Sequence, residues 1–168
     1  MFTVLSQAGR KLADLHLNYE SATLHPVTFS GKLIHNDTDF VNACPDHFYV
    51  RQMKFAKKGE KKDQTRMIYN DFITIENIPE RAYDYMVNGK SALEWVMERQ
   101  SVRQDKDSGI INDANDWANE TINNPRYPLE LFQRVITVSL KTLEIMAEIS
   151  QLGNIEEIVL AEEILPVS

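Results

Sequence analysis

Residues Tyr83 to Trp117, YDYMVNGKSALEWVMERQSVRQDKDSGIINDANDW, hold the densest set of local structure signals in the chain. Asn88-Gly89 is typical of a helix end, because glycine readily adopts the left-handed conformation found there. Ser91 and Glu94 match a capping box, which predicts that a second helix begins at this point. No combination of nucleophile, base and acid typical of a catalytic site occurs here. The stretch is therefore predicted to be scaffold: two helices followed by a turn.

The remaining segments predict an α+β fold. Leu5, Ala8, Leu12 and Leu15 recur at helical spacing, so residues 4–17 are predicted to form an amphipathic helix. Strand propensity is weak at residues 27–29. It is strong at residues 48–55 and 67–75, where aromatic and β-branched residues are frequent. Between the two strong segments lies the charged run KKGEKKD, which is predicted to be the loop of an antiparallel pair.

Two further helices complete the expected architecture. Ile78-Pro79-Glu80 predicts a helix start with proline in the first turn, and this helix would run to Asn88. The longest predicted helix, residues 129–152, is apolar on two sides, which is typical of a central helix or of one that meets another domain. The tail after Gly153 is compatible with a short helix or a strand. We expect an antiparallel strand pair or small sheet packed on a helical bundle with one long central helix.

Length and composition fit one domain spanning residues 1–168. A single cysteine, Cys44, excludes an internal disulfide and is typical of a reducing compartment. The N-terminus lacks the pattern of a signal peptide, and charged residues interrupt the most apolar stretch. A cytoplasmic protein without a membrane partner is therefore expected.

Charge is distributed unevenly along the chain. The net charge is −7, but residues 51–66 contain seven basic and two acidic residues, so this segment carries +5 and the rest −12. A local basic patch on an acidic body could contact phosphate, although charge runs are often only solvated surface. The residues predicted to contact DNA phosphates are Lys54, Lys57, Lys58, Lys61, Lys62, Arg66, Arg103 and Lys106.

Catalytic alternatives have weaker sequence support. Pro45-Asp46 followed by Glu60-Lys61-Lys62 matches the spacing of a magnesium-dependent nuclease motif of the PD-(D/E)xK type. That chemistry requires the second acid and the lysine on a strand beside the first aspartate, whereas Glu60 is predicted to lie in a loop. Asn124-Pro125-Arg126-Tyr127 departs from the NPPY motif of adenine methyltransferases and is interpreted as the lead-in to a helix. No catalytic, cofactor-binding or metal-binding residue is predicted.

Three blocks of sequence resemble one family. They are GRKLADLHLNYE at residues 9–20, the stretch from Met67 to Trp117, and PRYPLELFQRVITVSLKT at residues 125–142. Together they resemble the C-terminal specificity domain of single-chain type ISP restriction–modification enzymes. The resemblance covers about half of the chain, and its most specific string is NGKSALEWV followed by DKDSGIINDAN. The segment from Cys44 to Lys62 shows little of the family pattern, so target specificity could vary there.

The resemblance implies a function that the residues alone do not. In this family one polypeptide joins a nuclease, a helicase-like translocase, an adenine methyltransferase and a target-recognition domain. This chain would be the last part of such a polypeptide, non-catalytic by itself, with double-stranded DNA and the methyltransferase domain as its partners. The parent enzyme is expected to use ATP, magnesium and S-adenosylmethionine, and this part no cofactor. Met1 would then begin a split gene or an expressed fragment.

Three functional hypotheses follow. The first is part of a DNA target-recognition domain that contacts phosphate through the basic residues named above. The second is a scaffold or coupling module whose long helix packs on the methyltransferase, with little direct DNA contact. The third is a magnesium nuclease that uses Asp46, Glu60 and Lys62.

Overall fold

The computed structural model describes residues 2–32 and 34–164, with side chains described for residues 3–32 and 34–154. The fold is α+β, as predicted. Its helices are α1 (Phe2–Leu17), α2 (Asp37–Val41), α3 (Ala92–Arg99), α4 (Ala114–Asp116) and α5 (Tyr127–Ile164). Its strands are β1 (Thr28–Ser30), β2 (Lys54–Lys58), β3 (Lys61–Ile68), β4 (Thr74–Glu76), β5 (Met86–Val87), β6 (Lys90–Ser91), β7 (Val102–Gln104) and β8 (Ile111–Asp113).

The strands form one four-stranded sheet and two small hairpins. In the larger sheet the order is β1-β4-β3-β2, and every neighbouring pair is antiparallel. The hairpins are β5–β6 and β7–β8. Antiparallel pairing allows short connections: two residues join β5 to β6, and residues 105–110 join β7 to β8.

Helix α5 is central, as its two-sided apolar pattern predicts. Leu129, Phe132 and Ile136 are fully buried in the same cluster as Met67 and Ile75 of the sheet. Helices α1 and α3 also pack against α5. The helix begins at Tyr127, continues through Gly153 and reaches Ile164, so the tail extends the helix rather than forming a separate element. Its 38 residues span about 57 Å.

The N-terminal predictions are confirmed with small changes of boundary. Helix α1 starts two residues before the predicted range and ends at the predicted residue. On its apolar stripe Ala8 is buried, Leu12 and Leu15 are half-buried, and Leu5 is exposed. The weak strand signal at residues 27–29 corresponds to β1. The helices within the described ranges include none with the length and apolar character needed to cross a membrane.

The predicted strand pair is present, but its boundaries were wrong. Strand β2 begins only at Lys54; before it, Phe48 ends a 3-10 turn and residues 49–53 belong to no strand. The charged run predicted to be a loop mostly belongs to β2 and β3, with only Gly59-Glu60 forming the turn. The predicted second strand breaks at a turn centred on Asn70, where the Oδ1 atom accepts the backbone N–H groups of Phe72 and Ile73 at 2.9 and 2.8 Å. That turn separates β3 from β4.

The predicted helix over residues 78–88 is wrong. Only Glu80–Asp84 is helical, as a 3-10 turn, and hairpin β5–β6 follows it. Asn88-Gly89 is the two-residue hairpin turn, with φ values of 50° and 86°. A type I′ turn requires positive φ at both central positions, a requirement that Asn-Gly satisfies well. The residues therefore supply the left-handed backbone that was predicted, but in a hairpin rather than at a helix end.

The second half of the opening stretch is partly as predicted. Ser91 and Glu94 form the capping box in both directions, and α3 follows directly. Trp95 on α3 is half-buried, and its indole N–H donates to the Val87 carbonyl at 2.6 Å. Hairpin β7–β8 was missed, because its strands have only three residues each. A π-helical turn, Trp117–Thr121, then leads toward α5.

Gly31 provides a direct test of how tightly the sheet edge is packed. A Cβ atom at this position would lie 1.7 Å from the Phe72 carbonyl oxygen, so the backbone would have to move. We expect Gly31→Ala to lower the free energy of unfolding by about 1–3 kcal/mol, the usual cost of overpacking. Urea unfolding followed by circular dichroism measures this change.

Gly9→Ala is the matched control, because Gly9 lies within α1 and its added Cβ would meet no atom within 4 Å. Alanine should there raise the free energy of unfolding by up to about 1 kcal/mol through its higher helix propensity. Equal midpoints for the two variants would contradict the close approach of Gly31 to Phe72.

Candidate nucleic-acid interface

Hairpin β2–β3 places four of the predicted lysines in two facing pairs. Lys57 lies opposite Lys62, and Lys58 lies opposite Lys61. Like charges directly opposite each other on antiparallel strands are destabilising, at a cost of up to about 1 kcal/mol per pair. None of the four forms an ion pair within the described ranges. The tip of the hairpin thus concentrates positive charge at a cost to the fold.

Arg66 has a different environment from the lysines. Its Nη2 atom lies 2.9 Å from Glu76 Oε1, which also accepts the Ser30 hydroxyl at 2.9 Å. The guanidinium therefore connects β3 to β4 and indirectly to β1. Exposed ion pairs of this kind contribute about 0–1 kcal/mol, so the main consequence is that Arg66 is already engaged.

Arg103 lies on β7 and is held by a carboxylate. Its Nη1 atom is 3.2 Å from Glu98 Oε1, and Lys90 forms a second ion pair with Glu98. Hydrogen bonds from Lys90 and Arg103 hold the pKa of the Glu98 carboxyl below its ordinary value. Glu98 therefore fixes the position of Arg103 while leaving most of its guanidinium donors open.

Lys106 occupies the exposed turn between β7 and β8. Asp105 organises this turn, since its Oδ1 atom accepts the backbone N–H groups of Ser108 at 2.7 Å and Asp107 at 3.1 Å. These bonds, the one from Ser108 first, hold the pKa of the Asp105 carboxyl below its usual range. The acidic residues of this loop make a turn, and Lys106 projects from it apart from the other predicted cations.

A polar cleft of about 940 Å³ brings several of these residues together. It is lined by the chain segment that precedes β2, by residues 68–72 at the end of β3 and beyond it, and by residues 101–103 at the start of hairpin β7–β8. Three basic side chains, Arg51, Lys54 and Arg103, line it together with two acidic ones, Asp46 and Asp71. Of the predicted contacts, only Lys54 and Arg103 therefore meet in this cleft.

A smaller cavity of about 350 Å³ adjoins the cleft. The two share Gln52 and Arg103, and the smaller one adds Lys62 and Lys90 together with Glu94 and Glu98. We call the basic residues along the cleft, the cavity and hairpin β2–β3 the basic face, although acidic residues lie among them. Sequence reasoning missed Gln52 and counted Arg51 only as part of a charged run, because both lay within a predicted strand.

The backbone beside the cleft is held by hydrogen bonds from distant residues. Phe48 and Val50 are buried, yet residues 47–51 belong to no strand. All five of their carbonyl groups are nevertheless paired, four with side chains and one with a backbone amide. The bonds are Asn70 Nδ2 to His47 O (2.7 Å) and Tyr49 O (2.9 Å), the Tyr69 hydroxyl to Phe48 O (2.7 Å), Asn115 Nδ2 to Val50 O (2.7 Å), and Val102 N to Arg51 O (3.0 Å).

We call this set of hydrogen bonds to residues 47–51 the backbone clamp. Asn115 contributes to it with both the oxygen and the nitrogen of its side-chain amide. It is buried, accepts the Val50 N–H at 2.8 Å and donates to the Val50 carbonyl. Asp113 accepts the second Nδ2 hydrogen of Asn115 and also accepts the Tyr49 hydroxyl at 3.3 Å. Partial burial, followed by the nearby Asp113 carboxylate, raises the pKa of the Tyr49 hydroxyl.

The nuclease hypothesis does not fit this geometry. Asp46 lies in the 3-10 turn Pro45–Phe48, whereas Glu60 lies in the turn between β2 and β3. The motif requires Glu60 and Lys62 on the same strand. Lys62 lies on β3, but Glu60 does not lie on a strand. Among the residues that the structure describes, no group of three histidine, cysteine or acidic side chains is arranged to hold a metal ion.

Comparisons with known proteins agree on one family. The model of the Type ISP C-terminal specificity domain matches residues 1–131. A nuclease-deletion mutant of the Type ISP restriction–modification enzyme LlaGI, solved in complex with a DNA substrate mimic, is 43% identical over 84% of this chain, with a TM-score of 0.66. The ATP-dependent Type ISP enzyme LlaBIII, bound to DNA, is 40% identical over 84%, with a TM-score of 0.68.

A DrdV–DNA complex is also similar, at 27% identity over 88% of this chain and a TM-score of 0.64. The chain spans only 10%, 8% and 14% of the LlaGI, LlaBIII and DrdV chains, respectively. No curated protein matches it. The fold is that of a specificity domain. The chain belongs to the Type ISP C-terminal specificity domain family, which confirms the resemblance seen in its sequence.

The backbone clamp generates a stability prediction. Asn115→Ala would leave the buried N–H and carbonyl of Val50 without partners, at about 1–3 kcal/mol for each unsatisfied group. We expect a loss of about 2–4 kcal/mol in the free energy of unfolding, measured by urea titration. Asn119→Ala is the control, because Asn119 is exposed and bonds only the Asn115 carbonyl, at 2.8 Å. A midpoint for Asn115→Ala equal to that of the control would show that the clamp contributes little.

The facing lysines generate a second prediction. Lys57→Glu replaces the repulsion from Lys62 with an attraction across the strands. The free energy of unfolding should rise by about 0.2–1 kcal/mol at low salt, and the gain should shrink at high salt. Lys57→Gln, which only removes the repulsion, should give an intermediate value in the same thermal or urea assay. Destabilisation by Lys57→Glu would contradict the assigned register.

Proposed function

We propose that the chain is the DNA target-recognition part of a restriction–modification enzyme and is not catalytic by itself. The observation that carries this proposal is the set of four lysines that face one another on hairpin β2–β3. Such an arrangement costs stability unless a polyanion is bound. Family membership and the DNA-bound relatives support the same conclusion.

The charge distribution supports one DNA-facing surface. Outside residues 51–66 the chain carries −12, so the rest of its surface would repel a duplex. In the polar cleft, where Asp46 and Asp71 supply two negative charges, Arg51, Lys54 and Arg103 supply three positive ones. These residues would neutralise phosphates and set the orientation of the duplex. Arg66 would contribute less, because it already forms an ion pair with Glu76. Lys106 would contact DNA from the exposed turn between β7 and β8.

A second candidate function is the coupling of this domain to the rest of the enzyme. Beyond Thr142 none of the described residues of α5 is buried, although Leu143, Ile145, Met146 and Ile149 continue its apolar pattern. An apolar cavity of about 420 Å³ also opens between α1, α3 and α5 beside Trp95. In this role α5 would pack on the methyltransferase domain of the same polypeptide. ATP, magnesium and S-adenosylmethionine would then be used outside this chain.

A salt-dependent binding titration tests the DNA proposal. The chain should bind a mixed-sequence duplex at low salt, and Lys57/Lys58/Lys61/Lys62→Ala should weaken this binding. If two to four of these lysines each neutralise one phosphate, the slope of log K against log salt should fall in magnitude by about 2 to 4, since each neutralised phosphate accounts for ~0.9 of the slope. Fluorescence anisotropy with a labelled duplex provides the measurement.

The control must change the net charge equally on another surface. Arg10/Lys11/Lys32/Lys141→Ala removes four positive charges outside the basic face and should leave the slope nearly unchanged. Equal loss in both variants would mean that only net charge matters. An absence of wild-type binding at low salt would leave the coupling function as the remaining candidate.

A further inference from the structure

The polar cleft contains one neutral hydrogen-bonding side chain that the fold does not use. Five neutral polar side chains line it: Tyr49, Gln52, Tyr69, Asn70 and Ser101. Tyr69 and Asn70 hold the backbone clamp, and the Tyr49 hydroxyl donates to Asp113. The Ser101 hydroxyl donates to the Glu98 carbonyl at 2.8 Å.

Gln52 differs from the other four. It is exposed, and its amide forms no hydrogen bond to any residue in the described part of the chain. It also lies where the cleft meets the adjoining cavity, since both are lined by Gln52 and Arg103. Its donor and acceptor are thus available where the cleft meets the cavity, and basic side chains line both.

The backbone that carries Gln52 is held in place on both sides. Val50 is clamped by Asn115, the Arg51 carbonyl accepts the Val102 N–H, and Met53 is buried at 4% exposure. A side chain on a fixed backbone loses less conformational freedom on binding than one on a mobile loop. Direct recognition of a base edge requires this kind of positioning, because hydrogen-bond geometry is strict.

We propose that Gln52 is a base-reading residue that recognises adenine in the major groove. Its Nε2 group would donate to adenine N7 while Oε1 accepts from the N6 amino group. Among the four bases, adenine presents this neighbouring acceptor and donor, which a carboxamide can pair with simultaneously. Arg51, Lys54 and Arg103 would contact the flanking phosphates. This inference rests on the proposed function, and it assigns the specificity contact that the basic residues cannot supply.

Selection from a randomised duplex library tests the inference. The wild-type chain, Gln52→Ala, Gln52→Glu and the control Gln7→Ala, an exposed glutamine on α1, are each used to enrich bound sequences. The wild type and the control should recover the same motif. Gln52→Ala should relax one A·T position, reducing discrimination there by about 5- to 150-fold, the range of one bidentate contact. Its affinity for a non-specific duplex and its salt slope should stay unchanged.

Gln52→Glu distinguishes direct reading from a general effect. Glutamate presents only acceptors, so preference at that position should shift from adenine toward cytosine, whose N4 amino group is a donor in the major groove. An unchanged motif in both Gln52 variants would overturn the inference and leave the proposed function intact. So would an equal loss of specific and non-specific binding in Gln52→Ala. If the wild type recovers no motif, the inference fails, and if it also fails to bind at low salt, the proposed function fails with it.

Discussion

The structure depends on how the backbone from His47 to Arg51 satisfies its hydrogen bonds without a neighbouring strand. This segment lies partly inside the core, where an unpaired carbonyl costs about 1–3 kcal/mol. Asn70, Tyr69 and Asn115 supply the donors that a strand would otherwise provide. Because Asn70 lies between β3 and β4 and Asn115 lies in α4, these bonds join the large sheet to the C-terminal part of the domain. Residues of this joint, among them Tyr49, Tyr69 and Asn70, line the polar cleft, so the same bonds that hold the segment also hold the walls of the cleft.

Electrostatics imposes the second constraint. An acidic chain can approach DNA only if its positive charge is concentrated on one surface, since the remainder contributes repulsion. Hairpin β2–β3 achieves this concentration by accepting two unfavourable lysine pairs. Glu98 does the reverse for Arg103, because the ion pair between them is attractive. Lysine supplies a compact point charge, whereas the planar guanidinium of arginine supplies several donors in a fixed geometry, so the two residue types suit general attraction and geometric alignment, respectively.

The sequence predicted the fold class, α1, the capping box of α3 and the central helix, because each depends on local periodicity or capping. Prediction from the sequence failed where the same residues are compatible with two different local structures. Asn88-Gly89 supplies positive φ in either a helix end or a type I′ turn, and only the pairing of Met86 with Ser91 selects the hairpin. The residues of the predicted strand at 48–55 have strand propensity, but the clamp that replaces sheet pairing depends on an asparagine 65 residues away.

The candidate site was likewise predictable only where it depends on local sequence. A basic run is visible in the sequence, so the four lysines of hairpin β2–β3 were identified correctly as a positively charged patch. What the run does not reveal is that Arg66 is neutralised by Glu76, or that Arg103 joins Lys54 across a cleft. Gln52 carries no sequence signal at all. It stands out only in the structure, where the other neutral polar side chains of the cleft form hydrogen bonds within the described residues and Gln52 forms none.

The backbone clamp has a consequence for how specificity can change. Asn115 and Asn70 bond to main-chain atoms of residues 47–50, and Val102 bonds to the Arg51 carbonyl. The side chains at positions 51, 52 and 54 therefore take no part in holding the segment in place. Substitutions at these positions alter the side chains that line the cleft without removing a hydrogen bond of the clamp, whereas substitution of Asn115 alters the clamp itself. Under the proposed function, stability and recognition would thus reside in different residues, so the recognition surface could be exchanged without rebuilding the scaffold that positions it.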